Sequence, residues 1–305
     1  MYSDSELIEI VDKLNLLSTQ YKEFSELSSP RLLAIGTQSS GKSSLLNNII
    51  GFNILPTGHG MITQTPINIR MIRDNFEYPK IMLYTVNDFK KFNIFEIVLD
   101  QTNNVTNENT IKTKILEITN FITNNTKNIS ETIIYIDIYW NKYITNFSLV
   151  DLPGRILIAD SNQPQSLKTD ICNLIRSQLL IKNTIALVVI QAKTDLGTDL
   201  GLDLLKNIEN EIGIKIQSVG VITKPDTLTN ENNILNDFVA GRMDKSVSLT
   251  DGYFIVNNIA KNEDEYFYST FDPLSDIIKL KRHGIFLVHH LSLLWTRKTL
   301  YRKKY

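Results

Sequence analysis

The chain has 305 residues, enough for one large domain or two ordinary ones with an ample core. Its 32 Lys and Arg residues nearly balance 33 Asp and Glu residues, so no overall field favours nucleic acid or an anionic membrane as a partner. The single cysteine, Cys172, excludes an internal disulfide and a cysteine-rich metal site. No signal peptide or membrane-spanning apolar run is visible, and we expect a soluble, cytoplasmic protein.

Helical patterns occupy both ends of the chain. Residues 3–27 carry apolar side chains at alternating spacings of three and four, and residues 284–301 have a second helical pattern. An apolar stripe of this kind requires a partner helix, so the two are expected to pair as a short bundle. The predicted organisation is an N-terminal segment 1–28, a central domain 29–283 and a C-terminal segment 284–305 with a basic tail.

An apolar run, Leu32 to Ile35, predicts a short buried strand, and the motif G-x-x-x-x-G-K-S follows it directly before a helical pattern. Its glycines let backbone N–H groups point at a polyphosphate, and the helix N-terminus adds its dipole. Lys42 can reach the β- and γ-phosphates, and the Ser43 hydroxyl is a hard oxygen ligand for Mg²⁺. The alternative is a chance match in an ordinary strand–turn–helix. The predicted nucleotide-binding residues here are Gly36, Gln38, Ser39, Ser40, Gly41, Lys42, Ser43 and Ser44.

Glycines and prolines then predict a loop over residues 55–66. Four strands are predicted after it, at 67–72, 81–84, 133–139 and 147–150, with a helical isoleucine spacing between 111 and 122. The last of these strands ends in Asp151-Leu-Pro-Gly154. A carboxylate at a strand end beside a phosphate loop holds Mg²⁺, usually through water, and the glycine can turn its N–H toward the γ-phosphate.

The remaining pattern alternates helices and strands. A helix is predicted around 171–179, a strand at 185–190, a helix at about 199–212, and strands at 218–222 and 253–256. Because ligands bind at the carboxyl ends of strands in an open α/β sheet, the residues that follow these strands are candidate ligand contacts.

The strand at 218–222 ends in Thr223-Lys224-Pro225-Asp226, a spacing that selects the base. The Asp226 carboxylate can accept both the N1–H and the 2-amino group of guanine, while the stem of Lys224 covers the ring. Adenine lacks this pair of donors and would leave the carboxylate unpaired. Asn257, which ends the next strand, is expected to close around the base and ribose.

These motifs together resemble the GTPase domain of the dynamin superfamily, most closely dynamins and Mx proteins. The resemblance covers roughly residues 3–283 and goes beyond a generic phosphate loop. It includes the Gln38-Ser39 pair, the pattern L-P-x-G-x-G-x-x-T-x-x-P over 55–66, and Asp195-Leu-Gly-Thr before a helix. The implied fold is an α/β P-loop G domain with a mixed, mostly parallel central sheet and helices on both faces. The implied activity is GTP hydrolysis to GDP and phosphate.

The resemblance also implies roles for individual residues. Gln38 orients the attacking water, and Thr63 is a second Mg²⁺ ligand. Ser39, with the backbone carbonyls of Gly58 and Gly60, holds a monovalent cation, Na⁺ or K⁺, which offsets charge in the transition state. The implied catalytic residues are Gln38, Ser39, Lys42, Thr63 and Gly154, and the implied Mg²⁺ ligands are Ser43, Thr63 and Asp151.

Partners follow from the same resemblance. Asp195 reaches the guanine of a facing protomer, which implies a homodimer in the GTP-bound state; the alternative is that Asp195 only caps the helix that follows. Membrane association, membrane remodelling, microtubule binding and a partner that supplies a stalk are further expectations. We expect the sequence to lack the stalk and C-terminal effector region of the family.

The sequence departs from the family pattern after the Asp-Leu-Pro-Gly motif. Arg155, Ile156 and Leu157 stand where the family usually has x-Thr-Lys/Arg, and Thr229 replaces a second base-contacting Asp. The departures predict slower hydrolysis or weaker activation by dimerisation, and lower guanine affinity. Two functions therefore stay open: an active dimerising GTPase, or a weakly or non-hydrolysing GTP-binding switch or scaffold. A monomeric small-GTPase-like regulator is disfavoured by the Gln38-Ser39 pair.

Overall fold

A nine-stranded sheet forms the framework of the part of the chain that the computed structural model describes. That part comprises residues 31–58, 60–87, 90–99, 104–126, 128–143, 146–156, 163–164, 166–181, 183–227 and 244–256. The strands are β1 Arg31–Ile35, β2 Ile67–Arg73, β3 Lys80–Asn87, β4 Lys90–Val98, β5 Ile134–Trp140, β6 Phe147–Asp151, β7 Thr184–Gln191, β8 Ser218–Thr223 and β9 Tyr253–Val256. The α-helices are α1 Lys42–Ile50, α2 Asn104–Ile122, α3 Leu167–Leu179 and α4 Leu200–Ile212.

The sheet order is β4-β3-β5-β2-β6-β1-β7-β8-β9, and its second half is entirely parallel. Strands β6, β1, β7, β8 and β9 pair side by side in the same direction. Their sequences are nearly continuous apolar runs because helices cover both faces, and seven of the eight residues of β7 are buried. The carboxyl ends of these five strands therefore lie along one edge, where the phosphate loop begins.

The other half of the sheet is mixed. Strand β2 runs antiparallel to β6 and parallel to β5, while β3 is antiparallel to both β5 and β4. Residues of β2 alternate between buried and half-buried, with Ile67, Ile69 and Met71 facing the core. This half extends the sheet away from the phosphate loop and supports the loop indirectly, through β6.

Two apolar clusters lie on opposite faces of the sheet. One cluster packs α1 and α2 against alternate side chains of the strands, with Leu45, Leu46 and Ile111 fully buried. The other packs α3 and α4 against the opposite set of side chains, with Ile171 and Leu205 fully buried. The expected α/β architecture, with a mixed and mostly parallel sheet and helices on both faces, is confirmed.

The predicted strands and helices that fall on described residues are confirmed, with one omission. Strand β4 was not predicted, because the Asn/Thr-rich composition of 87–130 masked a short alternation in which Phe95 and Ile97 pack on the core. Ile94 and Val98 on its other face are exposed, so apolar residues occur on both sides of this edge strand. The predicted end segments 1–28 and 284–305 lie outside the described residues. Among the described helices, none is both long and apolar enough to cross a bilayer.

A close contact at the parallel edge makes β8 sensitive to substitution. A Cβ on Gly220 would lie 2.1 Å from Cδ1 of the buried Tyr253 ring. We expect Gly220→Ala to lower the free energy of unfolding by about 1–3 kcal/mol, because the added methyl group overpacks this contact. The matched control is Gly197→Ala, where the nearest atom would be 3.5 Å away. Equal urea midpoints for the two variants would contradict this packing argument.

Candidate nucleotide-binding site

The loop between β1 and α1 curves tightly because two glycines allow it. A Cβ on Gly36 would lie 2.3 Å from the Val189 carbonyl oxygen, so only glycine fits against β7 at this point. Gly41 has a φ of 96° and directly precedes the first residue of α1. Among the described residues, no side chain accepts a hydrogen bond from the N–H groups at the start of α1. A helix start of this kind favours an anion.

The middle of the phosphate loop is anchored by the ends of two strands. The Thr223 hydroxyl, at the end of β8, donates to the Ser40 carbonyl at 2.6 Å. The Ser39 carbonyl accepts from Gln191 Nε2 at 3.1 Å and from Lys224 Nζ at 2.8 Å. Ser39 itself has a φ of 62°, in the left-handed region, and these two donors stabilise that conformation. Thr223 and Lys224, predicted as base contacts, thus also fix the loop.

Lys42 is buried at the start of α1. Its ammonium group donates to the Thr37 carbonyl at 2.9 Å and more weakly to the Gly36 carbonyl at 3.4 Å. Burial lowers the pKa of Lys42 to about 8, while the charges of Asp151 and Asp199 act in the opposite direction. A phosphate bound in the loop would favour the charged form of this lysine.

Two hydroxyl groups converge on the carboxylate of Asp151. Ser43 Oγ donates to Asp151 Oδ2 at 2.7 Å, and Thr63 Oγ1 donates to the same oxygen at 3.0 Å. Asp151 is fully buried, and its Oδ1 has no hydrogen-bond partner among the described residues. Burial raises the pKa of Asp151, partly offset by Lys42 and the two hydroxyls. The hydroxyl and carboxylate oxygens of Ser43, Thr63 and Asp151 are chemically suited to a Mg²⁺ ion, and these three residues stay the predicted ligands.

Gly154 lies against the phosphate loop. A Cβ at this position would be 2.6 Å from Gln38 Cα and 2.8 Å from Lys42 Nζ, so any larger residue would displace both. Gly60 approaches the same region, because its Cβ would be 3.9 Å from Gln38 Nε2. The predicted residues that line one open cavity here are Gln38, Ser39, Gly41, Lys42, Ser43, Ser44, Gly58, Gly60, Thr63, Gly154 and Lys224.

Other predicted site residues lie around this cavity or beyond it. Gly36 and Ser40 are buried and do not line the cavity. Asp151 does not line it either, but it accepts hydrogen bonds from Ser43 and Thr63, which do. Asp226 is exposed in a 3₁₀ turn, Pro225–Thr227, directly after β8, and does not line the cavity. Asn257 lies outside the described residues, as do Leu157 and Thr229.

Asp195 caps a 3₁₀ helix that follows it directly, and the cap of α4 is a different residue. Asp195 Oδ1 accepts from the Gly197 N–H at 2.9 Å and caps a separate 3₁₀ turn, Leu196–Thr198. Asp199, four residues later, is the cap of α4 and accepts from Gly201 and Leu202 at 2.9 Å. The intervening turn moves the true helix start beyond the reach of Asp195, which remains exposed.

Several residues that support the site were missed from the sequence. Asn47 is buried in α1, and its side chain accepts from the Ile54 and Leu55 N–H groups while donating to Asn53 Oδ1 and to the Leu55 carbonyl. It therefore fixes the start of the loop that leads to Thr63. The local signal was a polar residue at a helix position between the apolar Leu46 and Ile49.

Gly201 was also missed. A Cβ on Gly201 would lie 2.8 Å from Gly36 Cα, so the first turn of α4 packs directly on the beginning of the phosphate loop. A glycine in the first turn of a predicted helix was the available signal, since glycine disfavours helices unless close packing requires it. Ile156, counted as a departure from the family, is 6% exposed and packs in the core cluster of α3 and α4.

A protein-family model described as "Dynamin family" matches residues 32–225, which run from the second residue of β1 to the turn after β8 and include the residues that line the cavity. The chain belongs to the dynamin family. It is 29% identical over 260 residues to Dynamin from Drosophila melanogaster and to Dynamin-2 from Bos taurus, covering 85% of this chain and 27% of each relative. It is 28% identical over 284 residues to Dynamin-A from Dictyostelium discoideum, covering 92% of this chain and 31% of that relative. The chain thus spans less than a third of the length of these relatives.

The Asn47 side chain gives a test of how the loop before Thr63 is held. Replacing it by Leu removes four hydrogen bonds and leaves buried backbone groups without partners. We expect Asn47→Leu to destabilise the fold by about 2–4 kcal/mol, since a buried unsatisfied group costs about 1–3 kcal/mol. Faster amide exchange at Ile54 and Leu55 should accompany the loss. Asn47→Asp keeps the acceptor for both N–H groups and should protect these two amides better than Leu does; equal exchange in both variants would contradict this role.

Proposed function

We propose that this chain binds GTP with Mg²⁺ and hydrolyses it to GDP and phosphate. The observation that carries the proposal is the convergence of the Ser43 and Thr63 hydroxyls on the buried Asp151 carboxylate beside Lys42. These groups come from three separate parts of the chain and meet at the start of one helix. Buried groups with unsatisfied charge are costly without a ligand, so their grouping favours a bound metal and polyphosphate.

Each group has a defined task in this proposal. The N–H groups at the start of α1 and the Lys42 ammonium bind the β- and γ-phosphates, and the Gly154 N–H donates toward the γ-phosphate. Ser43, Thr63 and Asp151 would hold Mg²⁺, which neutralises phosphate charge when bound. Gln38 orients the attacking water. The chain then contributes position and electrostatics, without a covalent intermediate.

Base selection is assigned to the segment after β8. Asp226 accepts from the two donors of guanine, and the stem of Lys224 covers the ring. The exposure of Asp226 in a short turn beside the cavity supports this role, because its carboxylate has free access to a ligand edge. Asn257 is proposed to close on the base from β9.

A monovalent cation, Na⁺ or K⁺, is proposed beside Ser39, held with the backbone carbonyls of Gly58 and Gly60. Its support is that all three residues line the same cavity as Gln38. A cation there would offset charge developing between the β- and γ-phosphates, as a positively charged side chain does in other GTPases.

Dimerisation in the GTP-bound state is proposed to use the face that carries Asp195. The turn that Asp195 caps is directly joined to the cap of α4, and the first turn of that helix packs on Gly36. The facing protomer's guanine is the proposed contact of the exposed Asp195 carboxylate. A membrane or microtubule as an assembly surface and a stalk-bearing partner are proposed from the family resemblance alone. A cytoplasmic location is proposed from the sequence expectation above.

A second candidate function is a GTP-binding switch or scaffold with little turnover. The burial of Ile156 favours it, because this position offers the nucleotide neither a hydroxyl nor a charge and is held in the core. Tight binding of GTP with no release of phosphate would support this candidate over the first.

Turnover of GTP tests the first candidate. We expect Lys42→Ala and Gln38→Glu to reduce kcat by about a hundredfold or more, because each removes a group that acts on the transition state. Phosphate release is measured with magnesium and KCl, and replacing KCl by a salt of a large organic cation should slow it. The matched control is Lys245→Ala, since Lys245 lies in an exposed turn and does not line the cavity. It should leave kcat unchanged.

The same assay also tests base selection. ATP should compete at least about a hundredfold more weakly than GTP, because adenine leaves the Asp226 carboxylate unpaired. Equal competition by ATP would contradict the assignment of Asp226. Absence of both binding and turnover of GTP would contradict the proposed function as a whole.

Dimer-stimulated chemistry should appear as a dependence on protein concentration. We expect the turnover rate per molecule to rise by about three- to tenfold as protein concentration increases, since a facing protomer completes the site. Asp195→Ala should reduce this rise. Asp244→Ala is the matched control, because Asp244 caps a 3₁₀ turn in the same way, accepting from Ser246 at 2.7 Å. A rate per molecule independent of concentration would contradict dimerisation.

A further inference from the structure

Arg155 forms a short backbone bridge to the phosphate loop. Its N–H donates to the Gly36 carbonyl at 3.0 Å, and its own carbonyl accepts from the Gln38 N–H at 3.1 Å. The two bonds flank Thr37, which pairs with Arg155 in a parallel arrangement outside the main strands. The backbone of Gln38 is therefore held by a residue whose position lies more than a hundred residues later in the chain.

The side chain of Arg155 is itself fixed to α4. Its guanidinium group donates to the Leu200 carbonyl and, at 2.9 Å, to Asp203 Oδ2, both at the first turn of this helix. The Arg155 side chain is only 12% exposed, although it is charged. A planar guanidinium with two acceptors is held in one orientation, which a flexible apolar side chain would not be.

We propose that Arg155 is a positioning residue for Gln38. Its guanidinium attaches the end of the Asp-Leu-Pro-Gly segment to α4. Because the backbone of Arg155 is hydrogen-bonded to Gln38, this attachment also fixes the position of Gln38. The inference rests on the proposed function, in which Gln38 orients the attacking water. Arg155 acts through Gln38, and no contact of Arg155 with the nucleotide is part of the proposal.

The phosphate-binding part of the loop has different anchors. Thr223 holds the Ser40 carbonyl, and Gln191 and Lys224 hold the Ser39 carbonyl, all from the ends of β7 and β8. Loss of the Arg155 guanidinium leaves these bonds in place. The expected consequence is a separation of effects, in which the turnover step is impaired while phosphate binding is retained.

The experiment compares Arg155→Met with the intact chain. Met keeps an unbranched apolar stem and the backbone groups but removes the guanidinium. We expect amide exchange at Gln38 to become about tenfold faster and kcat to fall about tenfold, because a small displacement of a water-orienting group is costly. The Kd for GDP should change by less than about twofold, since the Ser39 and Ser40 anchors persist. Arg155→Lys, which can keep one hydrogen bond, should give intermediate values of exchange and kcat.

The matched control is Arg176→Met. Arg176 also joins another element to α4, through Glu211, but near the opposite end of that helix. It should leave the exchange rate at Gln38 and kcat unchanged. If Arg155→Met fails to fold, Asp203→Asn removes the charge of one acceptor, and it should change exchange at Gln38 and kcat in the same direction by a smaller factor.

Three results would overturn the inference. The first is unchanged exchange at Gln38 together with unchanged kcat in Arg155→Met. The second is an equal effect of Arg176→Met, and the third is an equal loss of GDP affinity and kcat, since either would indicate general structural damage. If the intact chain binds GTP but does not release phosphate, hydrolysis as the proposed function fails instead. Exchange at Gln38 then decides the inference by itself.

Discussion

The buried carboxylate of Asp151 is the group on which the site depends. It ends the central strand β6, is fully buried, and receives two hydroxyl donors on one oxygen while the other has no described partner. The positive charge of Lys42, which acts on Asp151, is also buried, and the pKa of Lys42 is lowered. Folding these two groups without a ligand is unfavourable, because burial desolvates both charges. The apolar strands and helices around them must supply the stability that this grouping costs.

A rigid frame keeps that grouping in place. Gly36 fits against the Val189 carbonyl on one side and Gly201 on the other, so backbone meets backbone without intervening side chains. Hydrogen bonds from Thr223 and Gln191 then fix the next turn of the loop from the ends of two parallel strands. Since the strands are buried on both faces, their ends have little freedom to move. The phosphate loop is therefore preorganised by the sheet edge. The backbone of Gln38 is held by Arg155, and the start of the loop that leads to Thr63 is held by Asn47.

Local patterns in the sequence were sufficient for eight of the nine described strands and for the four described α-helices, because these follow from short-range periodicity. The spacing of Gly, Lys, Ser and Asp also identified Lys42, Ser43 and Asp151, which the structure brings together. These patterns were not sufficient to predict the residues that hold the site in place. Arg155 reaches Leu200 across 45 residues and Gln191 reaches Ser39 across 152, and no periodicity marks such pairs. Asp195 illustrates a nearer limit: Asp199 lies four residues later, and because a 3₁₀ turn intervenes, it is Asp199 that caps α4. Strand β4 was hidden by composition, since an edge strand with apolar residues on both faces gives a weak alternation.

Arg155 and Ile156 change how the departure from the family pattern should be understood. Taken as a sequence difference, the loss of a hydroxyl and a basic side chain suggests a weakened switch. In the structure, Ile156 adds apolar contact to the cluster under α3 and α4, and Arg155 ties the preceding turn to α4. Both side chains attach residues 155 and 156 to the fold. Residues attached in this way would need less ordering on binding a γ-phosphate, so less entropy would be lost at that step. The same attachment would limit how far these two residues move between nucleotide states. In the proposed function Arg155 positions Gln38 for hydrolysis, whereas the buried Ile156 gives the nucleotide neither a hydroxyl nor a charge. This geometry therefore favours turnover with little conformational change, or a binding scaffold, over a large nucleotide-dependent switch.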